Sequence, residues 1–470
     1  MSERTIAAIA TPLGEGGISV IRISGDDAIC VADKCFEAFS GQQLSELDGY
    51  QAAYGKVVDT NGNVLDDAVA LVFKSPKSYT GENVVEISTH GGTVVARQVL
   101  RRVLECGATL ATGGEFTKRA FLNGKLDLTK AESVMGLISA RNDAAAKISR
   151  GAREGRISRD TQDILEKLLE TAASLATFAD YPDEDIPNLN EDNFLALLNE
   201  CHTKCERLIS TYDAGRIIRE GINCAIVGKP NVGKSTLMNL LCGSDRSIVT
   251  DIAGTTRDIV ENVVAVGDIT LNLADTAGIH ETDDTVERFG VDRAKEKIDN
   301  AELLLAVFDS SVPLDNDDKL LLDSIRSKKC IVILNKTDLD AAFDKADLGD
   351  VQIVEISAKS GDGYHELCAA INRICKIEML SPDDTVLINE RQRDCVRRAL
   401  DAVSAARDAL LCGMTLDAVG VCVDDAISAL LELTGKRVTN EVCEEIFNSF
   451  CIGILEIPPP LTRSPPFKVR

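Results

Sequence analysis

Gly228-Lys229-Pro230-Asn231-Val232-Gly233-Lys234-Ser235-Thr236 decides how this chain is read. It fits the pattern G-x-x-x-x-G-K-[ST], and its surroundings suit that pattern. Residues 222–227 before it form a short, apolar, β-prone run, and residues 236–241 after it open a helix. In such a loop the glycines let backbone N–H groups converge on phosphate oxygens, and the helix N-terminus adds positive dipole. Lys234 is then placed to reach the β- and γ-phosphates, and Ser235 to hold Mg²⁺.

Three further motifs follow in order, each after an expected strand. Asp275-Thr276-Ala277-Gly278 follows residues 269–274, where a nucleotide switch needs an acid near Mg²⁺ and a glycine N–H facing the γ-phosphate. Asn335-Lys336-Thr337-Asp338 follows residues 330–334, and the Asp338 carboxylate can take two guanine N–H donors that adenine lacks. Ser357-Ala358-Lys359 follows residues 351–356 and closes over the base. Between the first two motifs lies Asp251-Ile252-Ala253-Gly254-Thr255-Thr256-Arg257-Asp258, a switch loop with a threonine for Mg²⁺. The ordered set reads as a GTP site in a P-loop domain.

A length of 470 residues suggests about three domains, and 44% hydrophobic with 27% charged residues is ordinary for a soluble globular protein. There is no basic-then-apolar leader and no apolar run long enough to cross a bilayer, so a cytoplasmic protein without a membrane partner is expected. The 15 cysteines lack C-x-x-C pairs and are read as reduced thiols. Cys201-His202-Thr203-Lys204-Cys205 has ligand chemistry, but it lies in a helical stretch without a second half and is not read as a metal site. The net charge of −24 argues against broad nucleic-acid affinity, so a local basic patch or a partner protein must supply attraction for any RNA substrate.

Residues 1–118 read as mixed α/β: strands at 5–10 and 18–23, a helix over 26–39, and a hairpin of 50–59 with 64–74 turning at Asn61-Gly62. A strand over 84–88 follows, and His90-Gly91-Gly92 opens another helix; His90 has no evident acid partner and is read as non-catalytic. From Lys118 the pattern becomes long amphipathic helices over 131–157, 159–179 and 193–219, returning at 389–412, 415–434 and 440–450. The fold class is therefore multidomain α/β plus α. An N-terminal α/β domain (1–118) and a helical half (119–220) precede a Ras-like P-loop GTPase (221–378). A second helical half (379–453) completes one discontinuous bundle, and a proline-rich tail (454–470) follows.

Ras-type proteins place a glutamine soon after the D-x-x-G glycine to orient water. Here Ile279 follows Gly278 and no glutamine is near, which leaves Glu287 as the best-placed carboxylate. No arginine finger is evident. A monovalent cation on loop carbonyls and the Asn231 side-chain oxygen is the expected replacement for its charge.

The chain closely resembles the MnmE (TrmE) family of tRNA-modification GTPases over residues 1–453. The resemblance rests on the G-x-P-N-x-G-K-S loop, the segment Asp251–Asp258, Asn389-Glu390-Arg391-Gln392-Arg393 and Phe450-Cys451-Ile452-Gly453. Ala10-Thr11-Pro12, Arg22-Ile23-Ser24-Gly25, Tyr79-Thr80-Gly81-Glu82 and the segment Phe121–Asp127 match too. The resemblance implies a homodimer joined through N-terminal domains that bind a tetrahydrofolate, 5,10-methylenetetrahydrofolate or its 5-formyl analogue, through Arg22, Glu86 and Lys125. It implies potassium held at Asn231, Thr250, Ile252 and Thr255, Mg²⁺ on Ser235 and Thr256, and Glu287 positioning the attacking water. The implied partner is the flavoprotein MnmG (GidA) in a heterotetramer, with FAD and NADH on the partner. Together they place an aminomethyl-type group on C5 of a tRNA wobble uridine.

One departure stands out. Family members end at C-[ILV]-G-K, whereas Ile454 follows Gly453 here and Pro458–Arg470 holds five prolines, a tail expected to be extended or disordered. Cys451 keeps the position of the family's reactive thiol, although a small apolar residue near a helix end reads equally well. Two readings compete with the first. One is a regulatory or ribosome-assembly switch, which a KH or RRM module would favour; neither signature is present. The other is a modification enzyme weakened by its altered C-terminus.

Overall fold

The computed structural model describes residues 4–180, 191–243, 262–267, 269–273, 301–349, 351–375, 377, 384–439 and 446–447. The chain divides into two compact units, Met1–Ala131 with Gly435–Arg470, and Glu132–Thr434.

The first unit is built on seven strands: β1 (Ile6–Ile9), β2 (Ile18–Ser24), β3 (Phe36–Ala38), β4 (Gln51–Val58), β5 (Val64–Phe73), β6 (Val84–His90) and β7 (Thr109–Leu110). Their order in the sheet is β3-β4-β5-β6-β2-β1-β7, antiparallel except where β1 meets β7. Strand alternation puts Ala68, Ala70 and Val72 of β5 inside, with Ile21, Ile23 and Ile87 beside them. Helix α1 (Ala28–Asp33) and helix α2 (Thr93–Glu105) cover that face, the latter through Val99, Leu100 and Val103. Phe39, Tyr54 and Val69 remain exposed. The hairpin turn forms as its Asn-Gly predicts, with Asp59 Oδ1 accepting from the Asn61 and Asn63 amides at 2.8 Å each. The helix expected over 26–39 is cut short: α1 stops at Asp33, and Phe36–Ala38 instead pairs with Val57–Gly55 of β4. Buried Cys35 and Phe36 gain more from the sheet core than another helical turn offers.

α3 (Glu115–Leu122) and α4 (Leu128–Ile138) lead into the second unit, followed by α5 (Asp143–Arg153), α6 (Arg156–Asp180), α7 (Glu191–Ser210) and α8 (Tyr212–Glu220). The continuous helix expected over 131–157 is therefore three pieces. Asn142 is extended and its Oδ1 accepts from the Ala145 amide at 2.7 Å, capping α5, while Gly155 at φ 86° separates α5 from α6. The stretch 193–219 is likewise split at Thr211 between α7 and α8. The helix expected over 440–450 lies almost entirely outside the described residues.

Strands β8 (Ile222–Val227), β9 (Asn262–Val266), β10 (Ile269–Leu273), β11 (Leu303–Asp309), β12 (Cys330–Asn335) and β13 (Gln352–Ile356) form a sheet in the order β13-β12-β11-β8-β10-β9. Its ladders are parallel except β9 with β10. Helices α9 (Lys234–Gly243) and α11 (Tyr364–Ile374) pack on one face through Leu237, Leu241, Leu367 and Ile371. Helix α10 (Asn316–Ile325) packs on the other through Leu322 and Ile325. Helices on both faces of a parallel sheet explain the near-continuous burial of residues 303–308.

The chain returns to the helices with α12 (Glu390–Leu411) and α13 (Leu416–Thr434). These complete one core with α6 and α7, including Leu168, Leu198, Val396, Val403 and Leu430. Where the sheet domain leaves and rejoins the bundle, the two segments are stitched. Thr211 Oγ1 donates to the Thr385 carbonyl at 3.0 Å, Arg207 pairs with Asp384 at 2.7 Å, and a Cβ on Gly215 would lie 2.1 Å from Val386. Among the described residues no helix is long and apolar enough to cross a membrane.

Candidate functional site

The loops after β8, β12 and β13 open at the same edge of the parallel sheet, the edge where such sheets bind ligands. The loop after β8 is Gly228–Gly233. Asn231 there adopts φ 65°, and Gly233 adopts φ 97° with no room for a side chain, since a Cβ would sit 2.1 Å from the Asn335 amide nitrogen. Lys234 opens α9, and exposed Ser235 and Thr236 follow in its first turn. The Lys234 ammonium folds back onto the loop, donating to the carbonyls of Gly228 at 2.9 Å and Lys229 at 2.6 Å, and burial lowers its pKa.

Asn335 is the joint between the three loops. Its Nδ2 donates to the Val232 carbonyl at 2.8 Å, and its Oδ1 accepts from the Ala358 amide at 3.0 Å. Both ends of this buried amide are thus satisfied. Asp338 is exposed and held in place by Ser357, whose hydroxyl donates to Asp338 Oδ1 at 2.9 Å. Lys336, at φ 65°, pairs with Asp309 at 2.5 Å. Burial opposes ionisation of Asp309, yet Lys336 and Ser311 hold its carboxyl below the usual range. Lys359 is exposed at the rim.

The structure therefore gathers Asn231, Val232, Gly233, Lys234, Ser235, Thr236, Asn335, Lys336, Asp338, Ser357, Ala358 and Lys359 at one sheet edge. Thr250, Asp251, Ile252, Ala253, Gly254, Thr255, Thr256, Asp275, Thr276, Ala277, Gly278, Glu287 and Cys451 lie outside the described residues. Sequence reasoning passed over Asp309, which anchors Lys336. An acid closing the buried run 303–308 was the available signal. It also passed over Lys229, which pairs with Asp315 at 2.5 Å and Asp318 at 2.8 Å and so ties the loop to the start of α10.

A second constellation lies in the N-terminal unit. Arg22 of β2 and Glu86 of β6 are cross-strand partners, joined from Nε to Oε1 at 2.8 Å. The guanidinium stacks over Tyr79 at 5.3 Å and Phe116 at 5.6 Å. Lys125 bonds not to this pair but to the loop before β6, its Nζ donating to the Pro76 carbonyl at 3.1 Å and its side chain lying beside Gly81. Three sequence motifs interlock here: Ser24 bonds Thr80 and Glu82 at 2.7 Å each, Arg119 pairs with Glu82 at 3.1 Å, and Asn123 donates to the Thr80 carbonyl at 2.8 Å. His90 does have an acid partner, contrary to expectation. Asp66, 24 residues upstream on the adjacent strand, lies 2.8 Å from its Nδ1 and raises its pKa, and the ring stays exposed. Cys201 and Cys205 are buried in the bundle core, where burial pushes their thiols up to about 11 and about 12.

Residues 5–125 match the family model described as the GTP-binding protein TrmE N-terminus, and residues 128–451 match the MnmE helical domain. The tRNA modification GTPase MnmE of Lactobacillus delbrueckii subsp. bulgaricus is 39% identical over 454 residues, covering 96% of this chain and 98% of that protein. That of Clostridioides difficile is also 39% identical over 454 residues, covering 96% of this chain and 99% of its own. Among solved structures, the G domain of the T. maritima FeoB iron transporter is 27% identical over 33% of this chain and 98% of that chain, with a TM-score of 0.25.

Proposed function

The chain belongs to the MnmE family of tRNA modification GTPases, and from that premise we propose that it is a potassium-activated GTP hydrolase serving wobble-uridine modification. The observation that carries the guanine reading is the Asn335 joint: one buried amide ties the phosphate loop to the base-closing strap, while Ser357 holds Asp338 ready. Asp338 accepts the guanine N1–H and N2–H, a charged acceptor meeting two donors. The loop amides of residues 231–236 cradle the phosphates, and Lys234 exchanges its two loop carbonyls for β- and γ-oxygens. Ser235 and Thr256 would hold Mg²⁺, and Asn231, Thr250, Ile252 and Thr255 would hold potassium. When bound, these cations offset the charge that builds on the transferring phosphoryl group and its leaving oxygen. Asp251, Ala253, Gly254, Asp275, Thr276, Ala277 and Gly278 line the switch loops, and Glu287 orients the attacking water.

The Arg22–Glu86 pair with Lys125 is the proposed tetrahydrofolate site. Its cations suit the folate carboxylates, and the aromatic rings of Tyr79 and Phe116 offer stacking surface. Glu86 must then divide its acceptor capacity between Arg22 and the pterin N–H groups. The exposed Phe39, Tyr54 and Val69 on the uncovered sheet face support homodimerisation through this unit. With the flavoprotein MnmG holding FAD and NADH in the cytoplasm, a folate bound here would supply the one-carbon unit destined for C5 of the uridine, and Cys451 would be the reactive thiol.

The test is GTP turnover in potassium against sodium chloride, with and without the flavoprotein. Turnover at least tenfold faster in potassium is expected. Equal rates would remove the cation site, and absence of turnover in both salts with the partner present would remove the hydrolase reading. Glu287→Ala should keep GTP affinity and slow turnover.

A further inference from the structure

The chain carries a net charge of −24, yet residues 141–159 hold six basic side chains against two acidic ones, Asp143 and Glu154. Five of the six recur every third residue: Lys147, Arg150, Arg153, Arg156 and Arg159. Lys147, Arg150 and Arg153 share the solvent face of α5, whose opposite face buries Ala145, Ser149 and Ala152. All three are exposed, and among the described residues none is paired with a carboxylate. Several other cations of the same unit differ from them. Lys204, Arg207, Arg216, Arg391, Arg397 and Arg398 are each held by an acid. Arg159 continues the row past the Gly155 break and spends one N–H on the Glu154 carbonyl at 2.9 Å.

We propose that this row on α5 is the docking surface for the phosphate backbone of the tRNA substrate. The inference rests on the tRNA reading given above. An acidic protein needs a concentrated positive surface to approach a polyanion, because attraction to phosphate is electrostatic and sequence-independent. Arginine suits phosphate through its planar fork of donors. Lys147 to Arg153 spans about 9 Å of helix, over which one strand of a nucleic-acid duplex advances by about three phosphates. Arg150 and Arg153 also lie in the last turn of α5, where they complement the helix dipole. Lys147 lies outside that turn, so the dipole does not account for the row.

The experiment measures binding of a tRNA transcript to the full chain by fluorescence anisotropy across a sodium chloride series. The wild type is compared with K147A/R150A/R153A and with R150K/R153K. The alanine variant should bind at least tenfold more weakly at low salt, and the slope of log affinity against log salt should fall by about two to three. The lysine variant should keep most of the slope and its thermal melting, since it keeps the charge at the helix end, and GTP turnover without tRNA should stay unchanged in both. Equal affinity and slope in the alanine variant would overturn the inference while leaving the tRNA reading intact. Absence of binding by the wild type would overturn both. Unchanged RNA binding with loss of flavoprotein capture would also overturn it, by assigning the row to a protein partner.

Discussion

Removing Arg391 tests how the helical bundle is held together. Its Nε and Nη2 grip Glu132 at 2.7 and 2.9 Å, Nη1 donates to the Glu432 carbonyl at 3.2 Å, and Nη2 to that of Leu433 at 3.1 Å. Gln392 adds a bond to Glu132 at 2.7 Å. The Glu132 side chain is only 4% exposed, so Arg391→Met leaves a buried carboxylate with one neutral donor. Breaking one side of such a pair costs about 3–5 kcal/mol. Glu132→Gln together with Arg391→Met removes both charges and leaves mainly the two carbonyls short of a donor, about 1 kcal/mol each. The double variant should therefore be more stable than Arg391→Met alone by about 1–3 kcal/mol. Urea unfolding followed by far-UV circular dichroism measures this, with nucleotide binding scoring the sheet domain separately because a multidomain chain need not melt in one step. An Arg391→Met cost below about 1 kcal/mol, or a double variant as unstable as the sum of the singles, would refute the reasoning.

Asp338→Asn should weaken GTP binding at least tenfold and shift preference toward xanthine nucleotides, read by competition against a fluorescent nucleotide; unchanged GTP selectivity contradicts the base-reading role. Gly233→Ala drives a methyl into the Asn335 amide at a backbone angle side chains rarely adopt, so nucleotide affinity should drop at least tenfold while the circular dichroism spectrum is kept. His90 should titrate above the usual 6.5 because Asp66 favours its charged form. A raised folded-state pKa means the pairing stabilises fully below the unfolded value and fades as pH rises through the folded one. An NMR titration with a midpoint at or below 6.5, or one unmoved by Asp66→Asn, would contradict this.

The G domain was legible because each motif follows a strand whose apolar run is its own signal, and β8, β12 and β13 stand where 222–227, 330–334 and 351–356 place them. The helix breaks were harder to read. Asn142 and Gly155 interrupt an otherwise continuous helical pattern, and the deciding contacts come from far away: Asn142 Nδ2 donates to the Ile218 carbonyl and to Thr270 Oγ1. The same holds for Arg391 with Glu132, 259 residues apart, and for Asn335 with Val232, 103 apart. His90 was misread for this reason, since its acid sits one strand away, where local spacing carries no trace of it.

The stitched junction at Thr211–Thr385 and Arg207–Asp384 has a consequence for biosynthesis. Helices α6 and α7 leave the ribosome with their apolar stripes unmatched, because α12 and α13 are encoded after the whole nucleotide-binding insert. At about 5–20 residues per second the wait is roughly 10–40 s, and local strand pairing and helix formation are far faster than that. The insert thus completes its own core first and brings residue 384 back beside residue 207, converting a closure over 177 residues into a short-range one. Nascent chains halted before α12 are where chaperones should bind this protein most tightly.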